Sequence, residues 1–260
     1  MPAAHDPLSI PAVATALGAL AVRFDVDVLA ECASTNSELM RRAEAGAPSG
    51  TVLAAERQTA GRGRMGRTWF AEPDASLAFS LLWRFAPGTQ PHGLSLGVGV
   101  ALAETLESLG ETGLALKWPN DLLRDGRKLA GVLIELVPGV PHAAVIGIGI
   151  NLRLPESLPE DVRAVATALD GDYKRSEVLA SLLAGLYGVL TTFGAEGFIA
   201  LRQRWIARCA HVDAPVQILS EFASPLAGQC IGVDVDGALL VETAVCVQRI
   251  LSGEVSLRTQ

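Results

Sequence analysis

The irregular order of strand-like and helix-like segments constrains the fold of this 260-residue chain more than any other feature. Up to about residue 210, segments with the period-two pattern of strands are interrupted at unequal intervals by segments with helical spacing. A doubly wound fold, in which strands and helices alternate regularly, does not fit this order. After residue 213 only short strands separated by turns follow. We therefore predict an α+β fold, with a mixed β-sheet and flanking helices followed by a small β-barrel.

The same patterns place the individual elements. Strands are predicted at residues 25–31, 51–56, 76–83, 114–118, 129–137 and 143–150, and helices at 10–22, 35–46, 94–109, 176–193 and 196–209. Four short strands are predicted at 216–219, 229–235, 239–242 and 245–251, with a hairpin turn at Asp236 and Gly237. Thr35 and Glu38 match a capping box. We place two domains at residues 1–212 and 213–260.

Charge and hydropathy exclude several classes of protein. The net charge of -7 argues against nucleic-acid binding, which usually needs a basic face. Asp6 precedes the apolar residues 10–22, where a signal sequence would carry basic residues. No apolar run reaches the roughly 18 residues that a membrane span needs. The four cysteines lack C-x-x-C spacing, which indicates neither a zinc site nor a redox pair. We expect a soluble, cytoplasmic protein with no membrane or nucleic-acid partner.

A loop rich in glycine and arginine, residues 61–67, gives the clearest chemical signal. Residues 61–66 match the dinucleotide pattern G-x-G-x-x-G, but a Rossmann motif must open a helix, and here Pro73 and a strand pattern follow. The glycines let backbone N–H groups approach an anion, and Arg62, Arg64 and Arg67 offer paired hydrogen bonds to phosphate. The loop therefore predicts a bound phosphate, and the alternative is a solvated surface turn.

A second polar cluster lies between residues 117 and 131. Pro119 ends a strand, and after a short polar turn the chain enters the next strand through Lys128. This hairpin is expected to bring Lys128 close to Asn120 and Asp121. A lysine there can neutralise a carboxylate and a phosphate as they approach each other, whereas the alternative is a solvated hairpin lysine. Further on, two glycines in residues 147–151 face one side of a buried strand, where they favour a ligand, a crossing backbone or simple core packing equally.

Taken together, these residues closely resemble the biotin protein ligase family. The matching segments are STN at 34–36, ERQTAGRGR at 56–64, Trp69, KWPND at 117–121, KLAG at 128–131 with Glu135, and GIGIN at 147–151. Their order over more than half the chain is very specific, and the β-rich tail resembles the SH3-like C-terminal domain of that family. The resemblance implies a mixed sheet of the kind that biotin and lipoate ligases share.

The resemblance also implies an activity. The protein would use ATP and Mg²⁺ to activate biotin as biotinyl-5′-AMP, and would then transfer the biotin to a lysine of a biotin carboxyl carrier protein or domain. A lipoate–protein ligase of the same fold is the alternative, and a DNA-binding regulator or an NAD-dependent oxidoreductase are the alternatives from other classes. The short N-terminus leaves no space for the DNA-binding domain of some members, and an exposed sheet edge would permit a homodimer.

On the biotin side, the resemblance assigns polar residues and an apolar wall. Ser34, Thr35, Asn36 and Gln58 would hydrogen-bond the ureido ring and line the biotin pocket. Polar residues suit this position because a buried urea presents donors and an acceptor that must all be paired. Gly131, with Leu133, would supply the apolar wall and clearance for the thioether ring.

On the nucleotide side, the resemblance assigns Gly61, Arg62, Gly63, Arg64, Trp69, Asn120, Asp121, Lys128 and Asn151. Lys128 would contact the biotin carboxylate and the α-phosphate at once, so it is the first choice for a catalytic residue, with Arg64 and Asp121. Asp121 is also the expected Mg²⁺ ligand and a candidate base for the acceptor lysine. Trp69 would support adenine, although a core role explains it equally well. Met65 stands where many members carry an arginine.

Overall fold

The computed structural model of the chain describes residues 6–155, 157–219, 225–251 and 256–259. Seven strands form its main sheet: β1 (Asp25–Cys32), β2 (Thr51–Gln58), β3 (Ser76–Arg84), β4 (Leu114–Lys117), β5 (Asp121–Arg124), β6 (Arg127–Val137) and β7 (Val140–Asn151). Their order across the sheet is β1-β2-β3-β7-β6-β5-β4. β1 and β2 run parallel and the other neighbouring pairs antiparallel. The predicted mixed sheet is therefore confirmed.

Helices cover the two faces of this sheet unequally. They are α1 (Ile10–Leu17), α2 (Thr35–Glu44), α3 (Leu94–Ser108), α4 (Glu160–Val165), α5 (Arg175–Glu196) and α6 (Arg202–Ile206). α5 packs against α1 and α3, and these helices cover the face that carries the larger core. α2 packs on the opposite face over a smaller core, which includes Leu39, Leu53 and Val145. Because α2 is short, it covers only part of that face.

Side-chain alternation along β7 separates the two faces. Ile146, Ile148 and Ile150 point into the larger core. Gly147 and Gly149 fall between them and therefore face the α2 side, as the sequence predicted. The uncovered part of the sheet consequently has no side chains at these two positions.

Some element boundaries differ from the sequence prediction. The short strand β5 was not predicted. The predicted polar turn before β6 is present as a two-residue hairpin turn, in which Asp125 and Gly126 have φ of 49° and 76°. The helix predicted at 10–22 changes to a 3-10 helix at Gly18, where φ is 56°. The helix predicted at 196–209 is broken, because α5 ends at Gly197 and a 3-10 turn (Phe198–Ala200) precedes α6.

A second, antiparallel sheet follows α6. Its five strands are β8 (Pro215–Leu219), β9 (Leu226–Val233), β10 (Leu239–Glu242), β11 (Val247–Ile250) and β12 (Ser256–Thr259), in the order β11-β10-β9-β8-β12. Asp236 and Gly237 lie in the turn between β9 and β10, as predicted. Inward residues of this sheet belong to the larger core, and the Trp118 indole N–H donates to the carbonyl oxygen of Gly237 at 3.0 Å. The predicted small β domain is confirmed and leans on the main sheet.

The boundaries of the two predicted domains, 1–212 and 213–260, remain predictions. Their outer ends, residues 1 and 260, lie outside the described residues. The two sheets share one hydrophobic core, so the structure shows no clear division between residues 212 and 213.

α5 is the one described helix that is long and apolar enough to cross a membrane, judged by length and composition alone. Half of its most apolar stretch is buried inside the protein. Leu179, Leu183 and Leu186 on this helix are fully buried in the larger core. Core helices of soluble proteins pass the same test, so α5 is explained by its packing.

Two of the four cysteines lie together, which their spacing in the sequence did not indicate. The thiols of Cys209, after α6, and Cys230, on β9, are neighbours. Their interaction raises the pKa of Cys209 and lowers the pKa of Cys230. All four cysteines are free. Within the described part of the chain, no group of three or more His, Cys, Asp or Glu residues could hold a metal ion.

A buried ion pair joins α5 to β2, and hydrogen bonds from the same two residues hold residues 6 and 8 beside it. Arg175, the first residue of α5, has a side chain that is 2 % exposed and donates to the carboxylate of Glu56 on β2. The other oxygen of Glu56 accepts from the backbone N–H of Leu8 at 2.7 Å, and the backbone N–H of Arg175 donates to Asp6 at 2.7 Å. Glu56 precedes Gln58 by two residues, so this pair holds the part of β2 that leads into the site.

We expect Arg175→Met to lower the free energy of unfolding by about 3–5 kcal/mol, because it leaves the Glu56 carboxylate without its cation in a largely buried place. Urea denaturation measures this loss. Arg204→Met is the matched control, since it removes an ion pair with Glu104 whose side chains are 40 % and 30 % exposed. The control should cost no more than about 1 kcal/mol. Equal losses in the two variants would show that burial of the Arg175 pair has no special weight.

Candidate active site

A cavity of about 290 Å³ opens on the α2 side of the main sheet. Its floor is formed by β6 and β7, and its walls by the start of α2, residues 62–70, the β4–β6 hairpins and the segment around α4. Every site residue predicted from the sequence lines this cavity except Gly61. A Cβ atom on Gly61 would lie 2.3 Å from the backbone oxygen of Trp69, so this glycine permits a close backbone approach instead.

The glycine- and arginine-rich loop folds back on itself and opens no helix beyond one 3-10 turn (Arg64–Gly66). The Trp69 backbone N–H donates to the oxygen of Gly61 at 2.9 Å, and that of Gly63 donates to the oxygen of Arg67 at 2.7 Å. This hairpin-like geometry confirms that the G-x-G-x-x-G pattern is not a Rossmann motif.

Ser34, Thr35 and Asn36 form a buried polar wall at the start of α2, each 3 to 4 % exposed. The predicted capping box is wrong: Ser34 is the N-cap residue, and no side chain caps the helix. The backbone N–H and the hydroxyl of Thr35 both donate to Gln58 Oε1, at 2.8 and 3.2 Å. Gln58 on the neighbouring strand thus takes the Thr35 hydroxyl that would otherwise cap the helix.

Asn36 is enclosed by partners that the sequence did not suggest. Its Oδ1 lies 2.6 Å from the hydroxyl of Ser80, a fully buried residue on β3. Its Nδ2 donates to Glu135 Oε2 at 2.9 Å and to the backbone oxygen of Leu133 at 3.2 Å. Ser80 had no local signal in the sequence, because a single serine within an apolar strand is common.

The space above the two glycines of β7 is filled by side chains of the protein itself. A Cβ atom on Gly147 would lie 2.2 Å from Asn36 Oδ1, and one on Gly149 would lie 2.2 Å from the Trp69 indole. The side chains of Asn36 and Trp69, and not a crossing backbone, therefore lie over the two glycines, which both line the cavity. The Trp69 Nε1 atom is buried without a hydrogen-bond partner among the described residues, which leaves it as a donor for a bound molecule.

Arg64, in the glycine- and arginine-rich loop, and Lys128, at the start of β6, line the same cavity. Arg64 donates to Asn120 Oδ1 at 3.3 Å. The Lys128 ammonium lies 2.6 Å from Asp121 Oδ1 and 5.9 Å from the centre of the Trp69 ring. Burial lowers the pKa of Arg64, and the nearby Asp121 carboxylate opposes this effect. An arginine stays charged in either case.

Arg62 and Met65 belong to the same glycine- and arginine-rich loop as Arg64 and also line the cavity. Arg62 lines the cavity, but its guanidinium is paired with Glu135 Oε2 at 2.7 Å. Met65 also lines the cavity, is 43 % exposed and has φ of 57°, in the left-handed region. An exposed apolar side chain therefore borders the cavity at position 65, where the family resemblance led us to expect arginine.

Asn151 holds a wall of the cavity that the sequence analysis missed. Its Nδ2 donates to the backbone oxygen of Thr167 at 2.9 Å and of Lys128 at 3.4 Å. The segment thus attached to the end of β7 contributes Leu158, Val162, Val165 and Ala166 to the lining. α4 is only six residues long, too short for a clear helical period. The signal that could have found it is its pair of valines in an otherwise polar segment.

Comparisons with known proteins point to one family. The biotin/lipoate A/B protein ligase family matches residues 29–151. The chain is 37 % identical over 240 residues to the bifunctional ligase/repressor BirA of Escherichia coli. The matched region covers 90 % of this chain and 74 % of BirA. The chain belongs to the biotin protein ligase family. It is also 34 % identical to the biotin–[acetyl-CoA-carboxylase] ligase of Paracoccus denitrificans, covering 88 % of this chain and 98 % of that ligase.

A solved biotin protein ligase has the same fold. The enzyme from Aquifex aeolicus, in complex with biotin and ATP, superimposes with a TM-score of 0.80 at 33 % identity and covers 91 % of this chain and 99 % of its own. The resemblance read from the sequence motifs is therefore confirmed for family and fold. The roles of individual site residues stay predictions.

We expect Gly149→Ala to lower the free energy of unfolding by about 1–3 kcal/mol and to weaken ATP binding, because the new methyl group displaces the Trp69 indole. Urea denaturation and calorimetric titration with ATP measure the two effects. Gly188→Ala on α5 is the matched control, since a Cβ atom there meets nothing within 4 Å. The control should leave ATP binding unchanged, and unchanged ATP binding in Gly149→Ala as well would argue against a role for Trp69.

Proposed function

We propose that this protein is a biotin protein ligase that activates biotin with ATP to biotinyl-5′-AMP and transfers the biotinyl group to a lysine of a biotin carboxyl carrier protein or domain. One observation carries the proposal: a single cavity joins a buried polar wall around Thr35 to two cations from distant parts of the chain, Arg64 and Lys128. Two of the relatives reported above, from Paracoccus denitrificans and Aquifex aeolicus, are named biotin ligases, which favours biotin over lipoate as the acid.

The polar wall suits the ureido end of biotin. Ser34, Thr35 and Gln58 border the cavity, and Thr35 is held to the sheet by hydrogen bonds to Gln58 on β2. A urea that leaves water needs a partner for each N–H group and for its oxygen, and fixed polar groups supply these without reorganisation. Gly131 and Leu133 on β6 line the same cavity; Leu133 lies beside Asn36, and a Cβ atom on Gly131 would lie 3.3 Å from the Lys128 side chain.

In the first step, a carboxylate oxygen of biotin attacks the α-phosphorus of ATP. The new bond is a mixed anhydride, the bond to the β-phosphate oxygen breaks, and pyrophosphate leaves with the electron pair. Two anions must meet for this step, so we assign Lys128 to both of them and Arg64 to the α-phosphate. Positioning and charge neutralisation would provide most of the catalysis.

Magnesium is a further part of the proposal. Asp121 is the one carboxylate among the described residues that line the cavity. Mg²⁺ in nucleotide sites usually takes one or two carboxylates together with the substrate phosphates, so Asp121 fits as its ligand. The ion, when bound, would neutralise phosphate charge.

In the second step, the acceptor lysine attacks the anhydride carbon as a neutral amine. The new bond is an amide, and AMP leaves with the electrons of the anhydride bond. Because a free lysine has a pKa of about 10.4, a base must take its proton, and Asp121 is the proposed base.

The predicted homodimer is a further part of the proposal. β1 forms an outer edge of the main sheet, and a second copy of the chain would pair along this edge.

ATP–pyrophosphate exchange tests the proposal. The purified protein should catalyse exchange that depends on biotin and not on lipoate, and Lys128→Ala should slow it by about 100-fold or more because a preorganised cation is lost. Arg127→Ala is the control, because it removes an exposed positive charge at the adjacent position. Exchange with lipoate alone would contradict the proposed substrate, and a wild-type rate in Lys128→Ala would contradict the assigned role.

Arg64→Gly should release activated biotin into solution, because the arginine holds the adenylate anion more than it holds biotin itself. The expected result is biotin labelling of bystander proteins in a mixture that also contains the acceptor. Biotin labelling is measured by blotting each component. Strict labelling of the acceptor alone, at the wild-type ratio, would contradict the assignment of Arg64.

A further inference from the structure

Glu135 does not line the cavity, yet it joins two of its walls. Its Oε2 atom accepts hydrogen bonds from Arg62 Nη2 at 2.7 Å and from Asn36 Nδ2 at 2.9 Å. Arg62 belongs to the glycine- and arginine-rich loop, and Asn36 to the first turn of α2. One carboxylate oxygen therefore links the loop to the polar wall.

Asn36 has both amide protons and its oxygen engaged by the protein. Its Nδ2 protons go to Glu135 and to the backbone oxygen of Leu133, and its Oδ1 faces the Ser80 hydroxyl. An amide oxygen can only accept, so the Ser80 proton belongs to this contact. The reversed amide would turn its oxygen toward a carboxylate and a carbonyl, which fixes the orientation of Asn36. The geometry of Asn36 is that of a residue that holds its neighbours.

Arg62 can have one of two roles, and they make opposite demands on Glu135. If Arg62 binds phosphate, Glu135 competes with the ligand for the same guanidinium. If Arg62 anchors the loop, Glu135 is required. The second role fits the contacts, because Glu135 is itself held by the buried Asn36, whereas most partly exposed ion pairs lack such a fixed partner.

We propose that Glu135 and Asn36 are positioning residues that anchor Arg62, and with it residues 61–67, against the polar wall around Thr35. Ser80 fixes the inner end of this chain of contacts, since its hydroxyl donates to Asn36 Oδ1 at 2.6 Å. Arg64, two residues beyond the anchor, is thereby held within the cavity that it shares with Lys128.

A double-mutant cycle separates the anchor from a phosphate contact. Arg62→Gln and Glu135→Gln should each lower kcat/KM for biotin-dependent pyrophosphate exchange by about 3- to 10-fold, and the double variant should be no worse than either one, because both break the same contact. Glu104→Gln is the control, since its ion pair with Arg204 is similarly exposed and joins α3 to α6, outside the cavity lining. A loss confined to Arg62→Gln, with wild-type or faster exchange in Glu135→Gln, would overturn the proposal.

Limited trypsin digestion gives a readout that a change in global stability does not reproduce. With biotin bound, Glu135→Gln should speed cleavage after the loop arginines by about 3- to 10-fold, while its thermal midpoint stays close to that of the Glu104→Gln control. Equal loop cleavage in Glu135→Gln and the wild type would contradict the anchor.

The part played by Asn36 is tested by exchanging donor and acceptor. Asn36→Asp places a carboxylate against Glu135 and should slow exchange, and adding Glu135→Gln should recover part of the loss, because the glutamine amide can donate to the aspartate and accept from Arg62. A double variant slower than Asn36→Asp alone would overturn this part. The test rests on the proposed ligase function: wild-type protein without exchange would count against that function, whereas active wild type with unaffected variants would count against the anchor alone.

Discussion

The repulsion between a carboxylate and a phosphate is the constraint on which the arrangement of this site depends. Two unit charges about 4 Å apart repel by about 4 kcal/mol at an effective dielectric constant of 20, so neither ligand can approach the other without nearby cations. Arg64 and Lys128 are 64 positions apart in the sequence and come from loops at the ends of different strands. The sheet brings them to one cavity, where their charges act before the reaction begins.

The cavity exists because one face of the sheet is incompletely covered. α2 spans only ten residues, and near its first turn the glycines of β7 leave the floor without side chains at these positions. Asn36 reaches in from one wall and Trp69 from another to fill that floor. Asn36 and Trp69 are therefore part of both the floor and the walls of the cavity. A substitution at either glycine of β7 would displace these side chains, which would face the ligands.

The sequence predicted the mixed sheet, the β-rich tail and almost all of the cavity lining, because the motif residues stand at strand ends that meet on one side of the sheet. It failed where a distant residue decided the local structure. The capping box at Thr35 is lost to Gln58, which is close only because β1 and β2 run side by side. Glu135 was recognised only as part of a motif, since its contact with Arg62 spans 73 positions and no local pattern reports it.

The central claim is that Arg64 and Lys128 act on one reacting phosphorus. A double-mutant cycle with Arg64→Gln and Lys128→Gln, measured by single-turnover formation of biotinyl-5′-AMP, tests it most directly. Residues that act as a unit are strongly non-additive, so the double variant should lose much less than the product of the two single losses. A loss equal to that product would mean that the two cations act independently, and would contradict the account.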